Sequence, residues 1–149
     1  MTMNLFITPR LCKDCGTCES VCDKYAVDVF TFEDETSSIS VPIMCMHCED
    51  AACIDVCPAK AIYRDANSTV LVDFDKCIGC KLCSNACPFG NIAYNYSEKK
   101  IFKCDLCDGS PDCVKYCPTK AIVFESATEA NMNKKRILAE KFKGLLELE

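Results

Sequence analysis

Cys77-Ile78-Gly79-Cys80-Lys81-Leu82-Cys83-Ser84-Asn85-Ala86-Cys87-Pro88 is the stretch on which the reading of this chain turns. Three cysteines recur at steps of three, a fourth follows after three more residues, and a proline closes the run. Outward from it the pattern occurs three more times. Cys12, Cys15, Cys18 and Cys22 keep the spacing but have Asp23 where the proline stood. Cys45, Cys48, Cys53 and Cys57 widen the middle gap, as do Cys104, Cys107, Cys113 and Cys117, and both of these runs end in Cys-Pro. The four runs use all sixteen cysteines of the chain.

This spacing suits a [4Fe–4S] cube, which presents four iron corners. A Cys-x-x-Cys-x-x-Cys loop wraps three of them, and the fourth needs a thiolate from elsewhere, supplied in two-cluster proteins by the fourth cysteine of another run. The proline after that cysteine lacks an N–H and fixes φ as the chain leaves the cluster. Four such runs predict four [4Fe–4S] clusters with the sixteen cysteines as iron ligands. The competing readings are weaker. Zinc sites use separated Cys-x-x-Cys pairs rather than triples ending in Cys-Pro. Disulfides need an oxidising compartment, and the haem-attachment run Cys-x-x-Cys-His does not occur.

The runs also repeat as sequence. Cys57-Pro58-Ala59-Lys60-Ala61-Ile62 is echoed by Cys117-Pro118-Thr119-Lys120-Ala121-Ile122, and more loosely by Cys87 to Ile92 and Cys22 to Val27. Between runs lie short alternating apolar stretches around polar tips: Val27 to Thr31 with Ile39 to Val41, Ile62-Tyr63 with Val70 to Val72, and Ile92 to Tyr94 with Lys100 to Phe102. These read as β-hairpins. Short helices are expected after the third cysteine of each run, as at Leu82 to Ala86. The fold predicted is α+β: tandem bacterial-ferredoxin-like repeats, with short hairpins and helices around the clusters, over residues 1–125 (halves about 1–70 and 71–125). From 126 to 149 cysteine disappears, and Ile137, Leu138, Phe142, Leu145 and Leu146 fall at helical spacing among Lys and Glu. This predicts an amphipathic C-terminal helix with Ser126 or Thr128 as its cap.

The length of 149 residues suits one compact domain or two small lobes. Met1 to Arg10 has one late positive charge and no apolar core of an export signal, and no stretch is long enough to span a bilayer. A cytoplasmic, oxygen-sensitive protein without direct membrane insertion is therefore expected. The formal charge is −5. With about −2 on each oxidised cluster and its thiolates, the loaded chain would stand near about −13, which argues against nucleic acid as a partner. Neither a G-x-G-x-x-G run nor a phosphate-binding loop occurs, so no catalytic residue is assigned.

Cys45-Met46-His47-Cys48-Glu49-Asp50-Ala51-Ala52-Cys53 through Cys57-Pro58, together with Cys77 through Gly90, resembles the four-cluster electron-transfer subunits of the dimethyl sulfoxide reductase and formate dehydrogenase type. The resemblance covers about 10–125. It implies an exchange of ligands between runs. Cys45, Cys48, Cys53 and Cys87 would hold one cluster, and Cys77, Cys80, Cys83 and Cys57 a second. Cys12, Cys15, Cys18 and Cys117 would hold a third, and Cys104, Cys107, Cys113 and Cys22 the fourth. Between Cys107 and Cys113 only Asp108-Gly109-Ser110-Pro111-Asp112 intervenes, shorter than is usual in the membrane-linked reductases. That compact form is similar to the small subunits of anaerobic tungsten aldehyde oxidoreductase-type enzymes.

The function implied is a non-catalytic electron-transfer subunit. It would relay single electrons through four clusters between a catalytic subunit, of tungsten or molybdenum pterin type, and a second redox partner such as a ferredoxin or a flavin/NAD subunit. Further copies of itself could extend the wire. The alternatives are the corresponding subunit of a hydrogenase, formate dehydrogenase or carbon monoxide dehydrogenase, and a free-standing soluble polyferredoxin. The tail either packs on the chain's own cluster domain or clamps a catalytic subunit. His47 reads as a surface residue, or as one behind the ligands whose N–H could donate to a sulfur and raise that cluster's potential. Lys99, Lys100 and Lys103, and Lys134-Lys135-Arg136, read as solvated faces or as charges that balance clusters and steer docking.

Overall fold

Asp and Asn at the hairpin tips set the local architecture. In the computed structural model, which describes residues 2–146, Asp34 Oδ1 accepts from the N–H groups of Thr36 and Ser37 at 2.8 and 2.7 Å. Asp65 Oδ1 does the same for Asn67 and Thr69 at 2.9 and 2.7 Å, and Asn95 Oδ1 for Ser97 and Glu98 at 2.8 and 3.1 Å. Side-chain oxygens that bond the backbone two residues on hold the chain in a turn. The flanking β-rich residues then pair as antiparallel hairpins: β2 (Val27–Glu33) with β3 (Ser38–Met44), β4 (Ile62–Arg64) with β5 (Val70–Val72), and β6 (Ala93–Asn95) with β7 (Lys100–Phe102). All three are where the alternating stretches put them.

A fourth strand pair joins the two ends of the cluster-bearing region. β1 (Met3–Ile7) runs antiparallel to β8 (Ile122–Ser126), with Met3 opposite Ser126 and Ile7 opposite Ile122. The alternation reading assigns no strand to either segment. Each is five residues long, and its partner lies at the other end of the chain, so no local turn announces the pairing.

Four one-turn helices, α1 (Thr17–Ser20), α2 (Ala52–Asp55), α3 (Leu82–Ala86) and α4 (Asp112–Lys115), each contain the third cysteine of a run rather than following it. α5 (Ala127–Leu146) starts with a capping box. Ser126 Oγ accepts from the Glu129 N–H at 3.3 Å, and the Glu129 carboxylate accepts from the Ser126 N–H at 3.0 Å. Ser126 is therefore the cap, and Thr128 lies inside the helix.

Apolar side chains gather in two cores. One holds Leu5, Val27, Met44, Leu106 and Ile122 with Cys18 and Cys113; the other holds Ala51, Ile62, Val70, Ile92 and Ile101 with Cys83. The first is built from both ends of the chain and the second from its middle. β1, closing on β8, carries the first run to the fourth. The first turns of the tail meet this body, where Ala130 is buried and Asn133 Nδ2 donates to the Glu125 carboxylate at 2.9 Å. Residues 131–144 are all exposed, Ile137, Leu138 and Phe142 among them, so those side chains do not pack on the chain's own cluster-bearing body. Leu145 and Leu146 lie outside the residues whose side chains are described.

Candidate functional site

Each cysteine run is bent by the same two backbone features. The residue before the second cysteine has positive φ in every case: Asp14 (53°), His47 (46°), Gly79 (69°) and Leu106 (58°). So does the third residue past the last cysteine: Tyr25 (49°), Lys60 (50°), Gly90 (68°) and Lys120 (55°). The first feature curls the loop so that successive cysteines face one centre. The second turns the chain back so that the next N–H reaches the sulfur it has just left. Ala26 N–H donates to Cys22 Sγ at 3.4 Å, Ala61 N–H to Cys57 Sγ at 3.3 Å and Asn91 N–H to Cys87 Sγ at 3.4 Å. The Ala121 N–H plays the same part at Cys117. Donors aimed at sulfur favour the thiolate, the form in which cysteine ligates metal.

The tertiary structure places the last cysteine of each run beside another run. One cavity of about 80 Å³ is lined by Cys45, Cys48, Cys53 and Cys87, and a second of about 20 Å³ by Cys12, Cys15, Cys18 and Cys117. Cys57 is an electrostatic neighbour of Cys83, and Cys22 of both Cys107 and Cys113. Asn91 helps lock the crossing of the middle runs by donating from Nδ2 to the Met44 carbonyl at 2.7 Å. Arg64 holds the second run's loop, donating to the Cys48 and Glu49 carbonyls.

All sixteen cysteines are free thiols, so the donor set is uniformly soft sulfur. Among the described residues, no three of His, Cys, Asp and Glu come close enough to share one metal ion. Quartets of cysteine thiolates fit a [4Fe–4S] group, which such ligands hold. Burial pushes the Cys18 and Cys83 thiols up to about 11 and those of Cys104 and Cys113 up to about 12. These sites hold protonated thiols until metal displaces the protons.

The structure decides between the two readings of His47 and moves Lys103 off the solvated face. His47 is not on the surface: it is 7% exposed, and its Nδ1 accepts from the Val70 N–H at 3.1 Å. The ring proton therefore sits on Nε2, which is buried without a hydrogen-bond partner. Burial, together with the nearby charges of Lys103 and Arg64, pushes the His47 pKa down to about 3, so the ring is neutral at physiological pH. Lys103 is not on a solvated face either, being 4% exposed with its ammonium bonded to the Val70 and Cys104 carbonyls. Lys103 follows Ile101 by two residues, so strand periodicity gives it the same inward face as that buried isoleucine. That signal was present in the sequence. Lys134 to Arg136 are exposed as expected.

Two 4Fe-4S dicluster domains match the chain, over residues 36–127 and 4–64. Among curated proteins the chain is similar to a subunit of the sulfite dehydrogenase of Allochromatium vinosum, with 42% identity over 65% of this chain and 45% of that protein. It is similar to a component of the anaerobic dimethyl sulfoxide reductase of Escherichia coli, with 34% identity over 80% of this chain and 71% of the relative. A third relative is the thiosulfate reductase electron transfer subunit PhsB of Salmonella typhi, with 41% identity over 63% of this chain and 53% of that protein. The chain thus spans about half the length of the first and third of these relatives. It belongs to the 4Fe-4S dicluster family as an iron–sulfur electron-transfer protein, in which two dicluster matches and sixteen cysteines imply four [4Fe–4S] clusters.

Proposed function

We propose that the chain is the wire subunit of an oxidoreductase complex, passing single electrons between a catalytic subunit and a further redox partner. When bound, a [4Fe–4S] cluster supplies a one-electron redox centre; the residues of this chain position and tune it. The ligand sets are those with exchanged fourth cysteines, and they order the sites in a row. The set of Cys12, Cys15, Cys18 and Cys117 comes first, followed by that of Cys104, Cys107, Cys113 and Cys22. The set of Cys45, Cys48, Cys53 and Cys87 is third, and that of Cys77, Cys80, Cys83 and Cys57 is last. Electrostatic neighbours across the first two joints support this order: Cys18 with Cys113, and Cys45 with Cys104. Two nested ferredoxin-like units result, one from the chain's ends and one from its middle.

The observation that carries the reading is the cavity where Cys87 of the third run joins three cysteines of the second. Cys87→Ser is expected to perturb the cluster held by Cys45, Cys48 and Cys53 and to leave that of Cys77, Cys80 and Cys83 in place, as read by electron paramagnetic resonance of the anaerobic protein. Perturbation of the latter cluster instead would mean that each contiguous quartet closes on itself.

The catalytic partner is proposed to be a tungsten or molybdenum pterin enzyme of aldehyde oxidoreductase type, in an anaerobic cytoplasm. The relatives named as components of dimethyl sulfoxide reductase and sulfite dehydrogenase support an oxidoreductase partner, and the short fourth run supports the compact form. No helix among the described residues is long and apolar enough to cross a membrane. Metal analysis of the complex isolated anaerobically on a tag on this chain decides the partner class. Tungsten or molybdenum with about sixteen or more irons per copy supports the proposal. Nickel moves the partner to a hydrogenase or carbon monoxide dehydrogenase, and iron alone leaves a free polyferredoxin.

A further inference from the structure

Lys103 and His47 meet at the middle joint of that row. Lys103 lines the cavity of Cys45, Cys48, Cys53 and Cys87, and its ammonium also bonds the Cys104 carbonyl at 2.8 Å, so it touches the sites on both sides. Among the described residues no carboxylate forms an ion pair with it. A buried ammonium held only by neutral carbonyls needs a counter-charge nearby. His47 lines the same cavity, with its Nε2–H buried and unpartnered. One residue positions both groups, through the peptides on its two sides: the Val70 N–H donates to His47 Nδ1 at 3.1 Å, and the Val70 carbonyl accepts from Lys103. The imidazole tautomer and the ammonium are thereby set together.

We infer that Lys103 and His47 are positioning residues that raise the reduction potentials of the two inner clusters. Lys103 acts as the shared counter-charge of the Cys45 and Cys104 sites, and His47 as a hydrogen-bond donor to the Cys45 site alone. One-electron reduction adds a negative charge, so a fixed cation, and an N–H that donates to a sulfur of the bound cluster, would both stabilise the reduced form. Among the described residues, no other lysine or histidine is buried. Lys13 lines the cavity of Cys12, Cys15, Cys18 and Cys117, but it is exposed to water, which screens it. The wire then has two higher-potential centres in its middle and lower ones at its ends.

This inference rests on the proposed ligand sets, and the test separates the two. The full chain is loaded anaerobically, iron per chain is counted, and the clusters are titrated with paramagnetic-resonance detection. Fewer than four clusters in the unaltered chain would overturn the ligand sets before any variant is made. With four present, Lys103→Met is expected to lower two of the four potentials at unchanged iron content, and Lys103→Arg to restore both. Four unmoved potentials in Lys103→Met would overturn the role of Lys103.

Should Lys103→Met fail to hold iron, the unaltered protein still decides the other half. His47 is the chain's one histidine, so ¹⁵N-histidine labels it alone. A ¹⁵N hyperfine coupling to one reduced cluster is expected, and none to any of four reduced clusters would overturn the donor role.

Discussion

Gly79 shows how tightly a single residue is held at these loops. Its φ is +69°, and a Cβ built there would lie 2.1 Å from the Lys99 carbonyl oxygen, which belongs to the β6–β7 hairpin turned against the loop. Asp14, His47 and Leu106 occupy the corresponding place with side chains, so the left-handed conformation alone does not demand glycine; the close carbonyl does. Gly79→Ala is therefore expected to cost more than about 1 kcal/mol and to reduce iron bound at the Cys77 loop, checked by iron content and anaerobic thermal melting. His47 makes a different prediction. Its folded pKa is lowered to about 3, mainly by burial, against an ordinary value of 6.5. Below 6.5 the unfolded state takes up a proton that the folded one refuses, so stability falls as the pH drops from there toward about 3. Above it both forms are neutral and the ring contributes no pH dependence. The ¹⁵N shifts of this ring are expected to stay flat between about pH 5 and pH 8, and a midpoint near 6.5 would mean that the ring is solvated.

Among the elements, the hairpins and α5 behave oppositely. Each hairpin closes on itself through a carboxylate or amide at its tip. Asp34, fully exposed, has its pKa lowered to about 2 by the Thr36 and Ser37 N–H groups. The stabilisation it gives the β2–β3 tip is present above its ordinary value of 3.8 and is lost as pH falls through about 2. Asp34→Ala is expected to speed hydrogen exchange at Thr36 and Ser37 at neutral pH without changing iron content. Among the described side chains of α5, none beyond Ala130 is buried. Its cap is sound, and Ser126→Ala should destabilise the helix start by about 1 kcal/mol, but Ile137, Leu138 and Phe142 remain 46–60% exposed. An apolar stripe on a capped helix is what a partner surface would cover. Removing residues 127–149 is expected to leave iron content intact and to release the proposed catalytic partner, measured by co-purification; loss of iron would mean that the tail supports the clusters.

For the molecule as a whole, the β1–β8 pair decides which runs share a core. Leu5 and Ile122 lie in the same apolar cluster as Cys18 and Cys113, whereas Ile62 and Ile101 lie with Cys83. Deleting residues 1–7 should open the first core and leave the second. The expected result is loss of about half the iron, from the two clusters of the first and fourth runs under the exchanged ligand sets, with the Cys45 and Cys77 sites retained. Uniform loss across all four would mean that the two cores fold as one unit.

Much of this was legible from spacing alone, because a ligand loop is a local object. Cys-x-x-Cys-x-x-Cys curls within its own residues, and Asp34, Asp65 and Asn95 make their turns with neighbours two to four residues away. The three hairpins, the capped tail helix and the sulfur chemistry followed from such short-range rules. The pairing of β1 with β8, the two interleaved cores, the burial of Lys103 and the unpartnered Nε2 of His47 did not. They depend on contacts between residues far apart in the chain: Val70 meets His47 across 23 residues and Lys103 across 33. Sequence determined what each loop could hold; only the tertiary structure decided which loops, and which charges, would stand next to one another.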